Sequence, residues 1–169
     1  VYVLGIDPGL SRCGYGLVAR GSEGARAVAV GVLRTDPAAP TPVRLAELQA
    51  DLRALIAEHR PEVVAIERVL FQVNVRSAIG VAQAAGLAMA EAVAAGCEVA
   101  EYSPNQVKQA ITGAGGADKE QVERMVQTLL GIDRPLRPVD AADAVAIAMC
   151  HLAHAPLRGR VAAQAGVRR

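Results

Sequence analysis

Four acidic residues pose the chemical question. Asp7 closes one apolar run, Glu67 closes another, and Asp140 and Asp143 stand three apart at the head of an Ala-rich segment. An ionised carboxylate beside an apolar core costs free energy unless an Arg, a set of backbone N–H groups or a metal ion lies against it. Helix capping explains one of the pair Asp140 and Asp143, since acids favour helix N-termini. It serves Asp143 less well, because an almost wholly apolar run follows. Brought side by side, the four carboxylates would repel and raise one another's pKa values, a conflict that divalent cations relieve. An oxygen-only donor set without Cys or His favours Mg²⁺ or Mn²⁺ over zinc. Two such ions about 4 Å apart are the usual apparatus for in-line attack on a phosphodiester, one activating water and the other stabilising the departing oxygen.

The elements that must position these acids are legible from pattern. Residues 1–6, rich in Val, Leu and Ile, predict a strand that Pro8-Gly9 breaks. Residues 13–19 and 25–33 predict two more strands and, with the first, an antiparallel meander. Thr41 as N-cap, Pro42 at the first helical position and Leu45, Leu48, Leu52, Leu55 and Ile56 at helical spacing predict a helix ending near His59. Residues 62–67 repeat the opening pattern of an apolar strand ending on an acid, and the helical crossover implies parallel pairing. A helix over 76–95 follows; its Gly80 and Gly86 suggest close approach by another backbone. Residues 98–102 predict a fifth strand. Ser103 with Gln106, and Asp118 with Gln121, read as capping boxes for two helices flanking the Gly-rich 113–117. A last helix is expected from about Asp140 to just before Pro156. The order β-β-β-α-β-α-β-α-α-α predicts an α/β fold with a mixed five-stranded sheet and helices on both faces. We expect a single nuclease domain over 1–156 and a basic C-terminal tail over 157–169.

Composition narrows the class of partner. The 169 residues carry a formal net charge of +1, so affinity for a polyanion must come from basic residues gathered on one face. Cys13, Cys97 and Cys150 are odd in number and widely spaced, which suits core thiols in a reducing interior. Apolar stretches are interrupted well short of a membrane span. These features lead us to expect a soluble, cytoplasmic protein. His151 and His154 lie beyond Asp143 without a third ligand nearby and read as structural.

The motifs GIDPGLSRCGYG, AIERV, QVKQAITG with ADKEQV, and DAADAVAIA, in this order from about Tyr2 to about His154, resemble those of the bacterial Holliday-junction resolvase family RuvC. The resemblance implies a ribonuclease-H-like fold and a metal-binding catalytic tetrad of Asp7, Glu67, Asp140 and Asp143. It implies a homodimer that nicks two opposed strands of a four-way junction symmetrically, leaving 5′-phosphate and 3′-hydroxyl ends. RuvA and RuvB, the branch-migration proteins, are the partners it implies.

Further residues are candidates for holding DNA. Lys108 and Lys119 flank the Gly-rich segment, whose backbone N–H groups could assist them on a phosphate near the metals. Phe71, the only Phe, follows Glu67 and is suited to stack on a base or wedge the junction, with Leu70 its competitor for that place. Arg68, Arg76 and Asn74 border the same segment and are candidates for phosphate contacts. Two other functions remain open at this point. DPGLSRCGYG also resembles the phosphate loop of the sugar-kinase and actin superfamily, although that architecture needs two lobes. A catalytically silent junction-binding scaffold would use the same basic residues.

Overall fold

The computed structural model describes residues 1–69 and 75–166, the side chains of 75–77 and 155–166 excepted. The strands are β1 (Tyr2–Asp7), β2 (Arg12–Gly21), β3 (Gly24–Arg34), β4 (Val63–Glu67) and β5 (Glu98–Tyr102). The helices are α1 (Thr41–His59), α2 (Val75–Ala94), α3 (Pro104–Thr112), α4 (Lys119–Leu130) and α5 (Val139–Gly166). The strands form one sheet in the order β3-β2-β1-β4-β5. β1, β2 and β3 pair antiparallel, whereas β4 is parallel to both β1 and β5. The meander and the parallel crossover therefore stand as the pattern predicted.

Alternation along β1 divides the core. Val3 turns to one face with Val18, Ala65, Val145 and Ile147, against α3, α4 and α5. Leu4 and Ile6 turn to the other with Leu17, Leu48 and Leu52, against α1 and α2. Side chains of this size contribute about 1.5–3 kcal/mol each when fully buried, so both faces hold the sheet firmly. Among the described residues no helix is long and apolar enough to cross a membrane.

Both expected capping boxes are present. Ser103 Oγ accepts from the Gln106 N–H, and Asp118 Oδ1 from the Gln121 N–H. Three expectations need correction. Pro40, not Thr41, is the N-cap of α1: its carbonyl accepts from Val43 at 3.0 Å and Arg44 at 3.1 Å, and no side chain caps the helix. Gly86 is exposed and a Cβ there would meet nothing within 4 Å among the described residues, so close packing against them does not account for it. Finally, α5 does not stop before Pro156; residues 157–166, expected as a tail, continue the helix. Proline removes one N–H and crowds one preceding turn, a local defect within a run of good helix formers.

Candidate active site

β1 and β4 are adjacent and parallel, with Ile6 opposite Ile66, so Asp7 and Glu67 leave the sheet side by side. α5 crosses this end of the sheet at backbone distance. A Cβ on Gly5 would lie 1.9 Å from the Ala144 carbonyl oxygen, and one on Gly14 would lie 2.2 Å from that of Asp140. Only glycine permits such contact, and α5 answers with Ala141, Ala144 and Ala148, all fully buried. The seating brings Asp143 to the strand ends.

A cavity of about 310 Å³ is lined by Asp7, Glu67, Asp143, Lys108 and Lys119, with Val107 and Ala146 among its apolar walls. Burial pushes the Asp7 carboxyl up to a pKa of about 7, and the charges of Glu67, Asp143 and Asp140 add to the rise against an opposing pull from Lys119. Glu67 is raised for the same reasons, burial first and then Asp143. Lys119 Nζ donates to Asp143 Oδ2 at 2.6 Å. Partial burial works against the ammonium, but that bond and the surrounding carboxylates outweigh it and raise its pKa.

Asp140 stands beside the cavity rather than in its lining. Arg12 grips its Oδ2 through Nη2 and through Nε, the latter at 3.0 Å. This hydrogen bond holds the Asp140 carboxyl below the usual carboxylate range. Among the described residues no three Asp, Glu, His or Cys side chains already stand together as a metal site. Arg12 and Lys119 instead occupy two of the four acids. The donors fit a hard divalent cation nonetheless: all are carboxylates, and Asp7, raised by burial first and then by the neighbouring acids, lines one cavity with Glu67 and Asp143.

Of the other candidates, Lys108 is half-buried in the cavity wall, while Arg68 is exposed and outside the lining. Leu70, Phe71 and Asn74 lie outside the described residues, as does the side chain of Arg76. The Gly-rich segment does not line the cavity, contrary to expectation. It closes α3 instead: Gly113 N–H donates to Gln109 O at 2.9 Å and Ala114 N–H to Thr112 Oγ1 at 3.2 Å. His151 is buried against the Tyr102 hydroxyl at 3.0 Å, and His154 Nδ1 lies 2.8 Å from the Cys150 carbonyl, both structural as expected. Pattern reading passed over Arg12. Its signal was a basic residue opening β2 within the turn that follows Asp7.

A mixed five-stranded sheet in this order, with helices on both faces and acids at the ends of two adjacent parallel strands, defines a ribonuclease-H-like α/β protein. Comparison then identifies the branch. The chain belongs to the RuvC family, crossover junction endodeoxyribonuclease RuvC, which matches residues 3–151. It is 51% identical over 165 residues to the crossover junction endodeoxyribonuclease RuvC of Salinispora arenicola, covering 96% of this chain and 94% of that one. The solved structure of Thermus thermophilus RuvC superposes with a TM-score of 0.87 at 38% identity, covering 93% and 96% of the two chains. T. thermophilus RuvC in complex with a Holliday junction substrate gives 0.86 at 39% identity, covering 92% and 95%. Membership over nearly the whole chain removes the ATP-loop alternative.

Proposed function

We propose that this chain nicks four-way DNA junctions at the acid-lined cavity, with Asp7, Glu67, Asp140 and Asp143 as ligands for two Mg²⁺ ions, replaceable by Mn²⁺. The observation that supports the reading most is the convergence of Asp7, Glu67 and Asp143, distant in sequence, on one cavity edged by Lys108 and Lys119. Held there by these carboxylates, divalent cations would supply an activated water and neutralise charge on the departing oxygen.

The protein's own part is placement. Asp7 and Glu67 sit at the ends of paired strands, so their carboxylates are held by the sheet. Lys119, released from Asp143, is within the same cavity to meet a phosphate oxygen, and Lys108 offers a second cation. Arg12 fixes Asp140 in orientation from the far side. We read the active form as a homodimer whose two cavities cut opposed strands symmetrically, leaving 5′-phosphate and 3′-hydroxyl ends. Leu70 or Phe71 serves as the junction wedge, with Arg68, Arg76 and Asn74 on nearby phosphates. RuvA and RuvB are its partners and the cytoplasm its place of action.

Incubation of a synthetic four-way junction and a linear duplex with Mg²⁺ or Mn²⁺ tests this. Paired symmetric nicks in the junction, sealed by ligase and absent from the duplex, are expected. Equal cutting of both substrates, or binding without cutting, would overturn the reading.

A further inference from the structure

A second, larger cleft of about 720 Å³ is formed by residues 9–12, the start of α1 and the 79–83 stretch of α2. Among the described residues, Ser11, Arg12, Thr41, Arg44 and Gln83 are its polar lining, and no Asp or Glu lines it. Arg44 is half-buried there. Its Nε donates to Thr35 Oγ1 at 3.0 Å and its Nη2 to Ser11 Oγ, and both partners are neutral hydroxyls. Among the described residues the ion pairs use Arg12, Arg53, His59, Lys119, Arg124 and Arg137, and none involves Arg44. A guanidinium withdrawn from water without a carboxylate is undercompensated. It also stands near the N-terminus of α1, where the helix dipole disfavours a cation, and the first turn holds no acid to offset it.

We infer that this cleft binds a backbone phosphate of the DNA strand, separate from the scissile one. A guanidinium presents a planar fork matched to phosphate oxygens, and Thr41 and Gln83 supply further polar groups. Arg12 connects the two places. It lines the cleft while its guanidinium holds Asp140 at the edge of the acidic cavity. The lining residues 9–12 begin just two positions after Asp7, which sets the cleft next to the acid-bearing end of β1. The inference rests on the junction-nicking reading for the identity of the strand.

The experiment is an interference map with the full chain in EDTA, using four-way junctions and duplexes that carry one uncharged methylphosphonate walked along the strand. Wild type is expected to lose about tenfold in affinity at one position removed from the scissile phosphate. Arg44→Gln keeps a donor at the position of Nε, for Thr35, and loses the charge together with the Nη2 bond to Ser11. It should bind more weakly, be indifferent to that position, and show a salt slope shallower by about one ion. A folded Arg44→Gln that keeps the wild-type map makes Arg44 a brace for the turn and overturns the proposal. If Arg44→Gln does not fold, Gln83→Glu decides, because it adds negative charge to the cleft without touching the Arg44 bonds. Weaker binding with that one position silenced supports the proposal, and unchanged binding overturns it. A monomeric Gln83→Glu with an unaltered map makes the cleft a subunit contact, and interference without position dependence makes it a site for free anions; either overturns it. Failure to prefer junction over duplex would sink the nicking reading alone, since the duplex map still decides the cleft.

Discussion

Asp7 and Glu91 are both acids withdrawn from water on this sheet's flanks, and their surroundings treat them oppositely. Glu91, on α2, is 7% exposed. Arg53 on α1 meets it through Nε and Nη2, each at 2.9 Å, and Gln49 adds a bond at 2.7 Å. Those hydrogen bonds, Arg53's first, hold its carboxyl below the usual range. Asp7 has no hydrogen-bond donor among the described residues; burial first, and then three like charges around it, push its pKa up to about 7. One carboxylate is matched so that two helices hold together. The other is left without such a match, an arrangement that suits a divalent cation.

Four measurements separate the two carboxylates and the packing that holds them. The largest effect expected is on catalysis: Asp7→Asn should lower cleavage by about 10³-fold or more while junction binding persists, since several kcal/mol of charge stabilisation is lost. Gel-shift and cleavage assays on the same preparation check it; equal loss of both in a folded variant would erase the distinction. Next, Gly14→Ala should cost about 3 kcal/mol or more by urea unfolding, because its Cβ meets the Asp140 backbone 2.2 Å away.

Third, Asp7 should be a liability to the metal-free fold. Its folded pKa of about 7 lies above the unfolded value, so the folded state binds the extra proton and stability falls as pH rises from about 4 to about 7. In EDTA at pH 8, Asp7→Asn should therefore be more stable than wild type by about 2 kcal/mol, allowing for its partial exposure. A flat wild-type profile over that window would show Asp7 to be as well matched as Glu91. The smallest effect belongs to Glu91→Gln, expected to lower the thermal midpoint at pH 7 with cleavage intact. Glu91's depressed pKa has the opposite sign: its contribution is full above the ordinary carboxylate pKa and fades as pH falls through its folded value, so variant and wild type should converge in acid.

Legibility followed how local each feature is. The capping boxes at Ser103 and Asp118 were readable because their partners are three residues away. β5 was readable from its bounding turns. Arg12 was not, since its partner Asp140 is distant along the chain and nothing near Arg12 announces it. Glu91 was passed over for the same reason, its matching Arg53 lying on another helix. The Gly-rich 113–117 misled in the other direction: a composition that suits phosphate binding turned out to be closing a helix.

Periodicity, turn residues and caps act over a few neighbours, so the succession of strands and helices, the acids at element ends and the family motifs are written in the chain. Folding in three dimensions adds the rest: α5 lies on Gly5 and Gly14, Lys119 and Arg12 divide two of the acids between them, and burial with neighbouring acids raises the Asp7 pKa to about 7. Those outcomes depend on distances between residues remote in the chain, and Coulomb and contact energies are set by such distances alone.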